Sequence, residues 1–119
     1  VSGACTIEDC ALTILSTVIS TPTPNRAVID AGSKVLTSDL MGLKGHGLIV
    51  GYPDLTISQL SEEHGCITSS TPTNLRVGQR IQVIPNHACV VSNMVDHVVF
   101  IEDDQVLTQQ QVVARGKVW

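Results

Sequence analysis

"LRVGQRIQVIP", residues 75–85, decides how the rest of the chain is read. Val77-Gly78 opens a turn, and Ile81 and Val83 then alternate with polar neighbours up to Pro85. Alternation with a period of two places one face of a strand in a core and the other in water. Working outward, "ALTILSTVIS" (11–20) mixes β-branched and apolar residues and is predicted as a strand ending at the proline-punctuated "TPTPN". "RAVIDAG" is predicted as a short strand ending at Gly32, and "GLIVGYP" (47–53) as another, stopped by Pro53. "ISQLSEEHGCIT" places a strand on each side of a Glu62–Gly65 turn. "ACVVSNMV", "HVVFIED" and "QVLTQQQVVARGKVW" continue the series, the last two joined at Asp103-Asp104. About eight short strands with regular turn signals predict a mainly β domain, an antiparallel β-barrel or barrel-like sheet with little helix.

Composition agrees. The 119 residues fit one domain, spanning 1–119, with enough length to bury a core. Apolar residues make up 43% but aromatic ones only 3%, so Val, Ile and Leu must fill that core. A net charge of −4 with no basic stripe argues against a nucleic-acid partner. No apolar run is long enough to span a membrane, and no signal peptide is read at the N-terminus. Cys5, Cys10, Cys66 and Cys89 form neither a CxxC pair nor dense disulfide spacing, so reduced thiols and a cytoplasmic location are expected. The first residue is Val, which points to a chain cut from something longer.

"PNHAC" (85–89) sets His87 two positions before Cys89. If the strand continued, the two would share a face with Cα atoms about 6.5–7 Å apart. Imidazole and thiolate could then close on one ion, at about 2.0 and 2.3 Å, a donor set that suits zinc. Two protein ligands would leave positions open, as a substrate-binding metal requires. The alternative is a core cysteine beside a satisfied histidine. Glu62, Glu63 and His64 are read either as a solvated acidic turn or as part of a site. "DAGSK" (30–34) is either a plain tight turn or an anion-holding loop with Ser33 and Lys34 as donors. The glycine-rich "MGLKGHGLIVGYP" lacks the order that wraps phosphate and reads as a loop between strands. No G-x-S-x-G elbow supports a hydrolase.

Taken together, "RAVIDAGSK", "GLIVGYPDL", "LSEEHGCI", "LRVGQRIQVIPNHACVVSNMVD" and the closing "VVARGKVW" resemble the C-terminal domain of the D-serine dehydratase / D-threonine aldolase family. The resemblance implies a fold-type III pyridoxal-phosphate lyase. In it an N-terminal (β/α)8 barrel carries the cofactor, and a C-terminal β-domain brings a divalent metal to the barrel mouth. It implies that His87 and Cys89 are metal ligands, with zinc favoured and manganese or magnesium as alternatives. The metal would bind the β-hydroxyl of a small D-amino acid substrate. Glu62, Glu63 and His64 would orient ligands or shuttle protons, and Asp30, Ser33 and Lys34 would lie in an active-site loop. The barrel is not in this chain. Lys34, Lys44 and Lys117 are its only lysines, none in a cofactor-lysine context, so no residue here is assigned to pyridoxal phosphate. The expected partners are that barrel and a second copy in a homodimer, and the isolated domain is expected to be inactive. Two other readings stand beside this one: a non-catalytic β-barrel for subunit contact, and the β-domain of a fold-type III amino-acid racemase, which would lack the H-x-C pair.

Overall fold

The computed structural model describes residue 3 and residues 6–117, so Cys5 and the final Val118-Trp119 of the closing phrase lie outside the described residues. Of the described residues 38% are strand and 11% helix, as the alternation predicts. After a single helical turn at Ile7–Asp9, the elements in chain order are β1 (Ile14–Thr23), β2 (Arg26–Ile29), α1 (Ser33–Leu36), β3 (Leu48–Ile49), β4 (Thr56–Leu60), β5 (Gly65–Thr68), β6 (Arg80–Ile84), α2 (Ala88–Ser92), β7 (His97–Glu102) and β8 (Gln105–Gln111).

Six strands form one antiparallel sheet in the order β3-β6-β1-β2-β5-β4, and β7 pairs with β8 in a separate hairpin. The larger sheet curls until its edges meet: the His46 N–H, just before β3, donates to the Ile57 carbonyl of β4 at 3.0 Å. Gly45 permits this approach. Its φ is +81°, and a Cβ there would come within 3.1 Å of the same carbonyl. The barrel is thus nearly closed, which removes most of the exposed strand edge.

Registers match the alternation. Ile14 faces Val83 and Ser16 faces Ile81 across β1–β6, and Ala27 faces Ile67 across β2–β5. Val18, Ala27, Ile29, Ile57, Ile67 and Val83 are wholly buried, so β-branched side chains make the core, as the shortage of aromatics requires. The buried Ser16 hydroxyl is satisfied by Asp30 Oδ1 at 2.7 Å.

Three sequence expectations need correction. β1 runs through Pro22 to Thr23, and the turn shrinks to Pro24-Asn25; the pairing is irregular between Ser20 and Thr23, where a missing N–H is tolerated. The strand expected over 47–53 is only two residues long, bounded by Gly47 and a turn at Val50-Gly51. "ACVVSNMV" is not a strand. It begins with the one-turn helix α2, whose Val91 is buried and whose Ser92 hydroxyl donates to the Ala88 carbonyl at 2.9 Å. So short a helix owes its stability to such packing rather than to propensity.

Candidate metal centre

The helix at α2 changes the geometry of the H-x-C pair. β6 stops at Ile84, Pro85 and Asn86 turn the chain, and His87 is the extended residue that caps α2 (φ −140°, ψ 103°). Cys89 is therefore the second helical residue and not a strand neighbour of His87 on a shared face. The expectation of two ligands on one strand was wrong, because Pro85 ends the ladder before the pair begins. The side chains remain accessible: His87 is half-buried, and Cys89 is exposed with a free thiol.

A residue that sequence reading passed over completes the arrangement. Asp39 lies in the loop after α1, and its Oδ2 is 2.7 Å from His87 Nδ1. The bond from His87, with that from the Met41 N–H to Oδ1 (3.2 Å), holds the Asp39 carboxyl below the ordinary carboxylate range. Asn86 fastens the same loop. Its Nδ2 faces the carbonyl oxygens of Gly45 (2.9 Å), Asp39 (3.3 Å) and Leu40 (3.4 Å). Nothing in "LTSDLMG" marks Asp39 beforehand, since its partner is 48 positions further along the chain. The only available signal was an isolated acid in a loop of small polar residues.

The other two motifs come together with each other. A Cβ on Gly32 would collide with the Glu62 carbonyl, so only glycine lets "DAGSK" lie this close to the "SEEHG" turn. The Ser33 N–H donates to the Ser61 carbonyl (2.8 Å), and the Lys34 N–H to that of Glu62 (3.1 Å). Lys34 Nζ pairs with Glu63, and both side chains are well exposed. His64 and Glu62 are exposed, and the His64 N–H is held by the Ser61 hydroxyl at 3.2 Å. Asp30 points back to β1. Burial works against ionisation there, but the Thr17 N–H (2.7 Å) and Ser16 hydroxyl outweigh it and hold the carboxyl below its usual value. Among the described residues no hydrogen bond or ion pair links Asp30, Ser33, Lys34, Glu62, Glu63 or His64 to His87 or Cys89. Nor, among them, does any group of three or more His, Cys, Asp or Glu side chains gather as a closed metal cage.

Imidazole nitrogen and thiolate sulfur suit zinc, and two protein ligands leave room for water or a substrate oxygen. Lys34 pairs with Glu63 at the surface, and Lys44 and Lys117 are exposed loop residues. No helix of the described residues is long and apolar enough to cross a membrane.

Comparison with known proteins gives a consistent picture. Residues 11–101 match the family described as "Putative serine dehydratase domain". An uncharacterized protein of Mycobacterium tuberculosis is 38% identical over 97% of this chain and 91% of its own length. The D-threonine aldolase of an Arthrobacter species is 31% identical over 89% of this chain, but the match covers only 27% of the enzyme. Among solved structures, D-threonine aldolase from Filomicrobium marinum superposes with a TM-score of 0.80 at 27% identity, over 90% of this chain and 29% of that one. A D-threo-3-hydroxyaspartate dehydratase shares the fold with a TM-score of 0.83 at 23% identity, over 92% of this chain and 33% of that one. Its structures include a variant with one histidine replaced by alanine. Another is a metal-free form in which the cysteine two positions later is replaced by alanine. The chain thus spans most of the mycobacterial protein and about a third or less of the enzymes.

Proposed function

The chain belongs to the serine dehydratase domain family, the C-terminal domain of fold-type III pyridoxal-phosphate enzymes, and from that premise we propose that it is the metal-carrying domain of a D-hydroxy-amino-acid lyase. The observation that carries the reading is the pair His87 and Cys89 at an accessible loop-to-helix junction. Its spacing equals that of the histidine and cysteine altered in the dehydratase, whose cysteine variant is metal-free.

In the whole enzyme a metal bound here supplies a Lewis acid for the substrate β-hydroxyl, beside the electron sink that pyridoxal phosphate provides in the barrel. His87 contributes a ring nitrogen and Cys89 a thiolate, while Asn86 keeps the loop beneath them in place. The thiolate donor favours zinc over manganese or magnesium. Glu62, Glu63 and His64 belong to the loop face that would meet the barrel, with Ser33 and Lys34 stitched alongside. The β7–β8 hairpin, which exposes Val99, Phe100, Ile101, Val106 and Leu107, favours a subunit-contact role as well. Alone, the domain should form no Schiff base with pyridoxal phosphate and turn over no D-serine or D-threonine.

Zinc titration by calorimetry on wild type, His87→Ala and Cys89→Ala, beside thermal melts, tests the site. Wild type should bind zinc measurably. Both variants should lose binding and keep their melting transition. Variants that bind zinc as tightly as wild type would reduce the pair to packing.

A further inference from the structure

Asp39 reaches His87 from a loop that is itself pinned. Its N–H donates to the Thr37 hydroxyl (3.4 Å), its Oδ1 accepts from Met41, and its own carbonyl faces Asn86 Nδ2. The remaining oxygen, Oδ2, meets His87 Nδ1 at 2.7 Å. An ionised carboxylate can only accept hydrogen bonds, and a neutral imidazole has one proton to give. The bond therefore needs that proton on Nδ1, and the lone pair must then lie on Nε2. Both side chains are partly exposed, at 29% for His87 and 40% for Asp39, so the contact is not forced by core packing.

We propose that Asp39 is a positioning residue: it locks His87 in its Nδ1–H tautomer and presents Nε2 as the cation ligand beside Cys89. This rests on the reading of His87 and Cys89 as a cation site. A carboxylate behind a ligating histidine fixes its ring orientation and raises its basicity. Here the carboxylate comes from the loop between α1 and β3 and His87 from beyond β6, 48 positions further on, and Asn86 ties the two segments together. Asn86, the residue before His87, donates to the loop backbone at Asp39, Leu40 and Gly45.

Two measurements on the full chain test the assignment. Long-range proton–nitrogen correlation of the imidazoles, at a pH where histidine is neutral, reads the tautomer without any metal. Wild-type His87 should be the Nδ1–H form, and Asp39→Ala should shift it towards Nε2–H while His46, His64 and His97 stay unchanged. In zinc titrations Asp39→Ala should weaken binding by about 10–100-fold. Asp39→Asn, which keeps an acceptor but no charge, should fall between Asp39→Ala and wild type and serves if the alanine variant folds poorly. Asp39→Glu should recover part of the affinity. A wild-type chain that binds no zinc overturns the cation reading. A wild-type Nε2–H tautomer, or Asp39→Ala binding zinc as tightly as wild type while His87→Ala does not, overturns the role of Asp39.

Discussion

The barrel and the β7–β8 hairpin are built from the same kinds of residue and end in opposite states. Ile57 and Ile67 in the barrel are wholly buried, whereas every residue of β8 is exposed and Val106 keeps 71% of its surface in contact with water. Both regions pair antiparallel, and both carry β-branched aliphatic residues. A pattern that makes a strand does not by itself make a core. The core needs a second layer, which the six-stranded sheet supplies by curling onto itself. The hairpin relies on local devices instead. Asp103 and Asp104 both take positive φ, 48° and 61°, the conformation a two-residue hairpin turn requires. At its base the Val112 N–H donates to the Asp96 carbonyl, and Arg115 pairs with the Asp96 side chain at 3.1 Å.

The widest gap between the regions should appear in truncations. Ile57→Ala should lower unfolding stability by about 2–5 kcal/mol, the usual cost of a buried cavity. Val106→Ala should stay within about 0.5 kcal/mol. Urea denaturation of both variants checks this, and equal losses would mean that the hairpin shares the core. Hydrogen exchange sharpens the same contrast at the level of motion. Amides of β1, β2 and β5 should exchange only through global unfolding, and those of β7 and β8 through cheaper local opening. Equal protection would refute the separation.

A smaller effect distinguishes the regions by pH. Asp30 serves the barrel, and its folded carboxyl value is depressed. Such a group contributes stability that is complete above its unfolded value, near 3.9, and is lost as pH falls through the lower folded value. Asp30→Asn should therefore flatten the acid limb of the stability curve below about pH 4. An Asp30→Asn curve parallel to wild type would remove Asp30 from the account.

Much of this division was legible in the sequence. Ile81 and Val83 alternate so plainly that β6 and its buried face follow from them, and the Asp103-Asp104 turn stands where its polar residues place it, while the turn expected over Glu62–Gly65 ends at His64 because Gly65 opens β5. The failures have a common cause. α2 carries Val90 and Val91, which favour strands, and becomes a helix because Pro85 breaks the ladder and Val91 finds a buried seat. Asp39 was invisible for a related reason: its meaning depends on a contact across the fold, and no local pattern encodes it. His87 and Cys89 were picked out by their spacing, while their placement at a loop-to-helix junction was not.

The 48-residue separation of Asp39 from His87 also bears on how far a cation could stabilise the fold. Ligands two positions apart remain neighbours in an unfolded chain, so that chain could chelate the ion as well. An ion that binds both states stabilises the folded one only by the ratio of the two affinities. Asp39 joins the site only after the chain has closed, so that ratio is set by what the carboxylate adds. A factor of about 10–100 corresponds to a ceiling of about 1.4–2.7 kcal/mol, however much zinc is supplied. The site would thus saturate as a stabiliser while remaining fully available as a carrier.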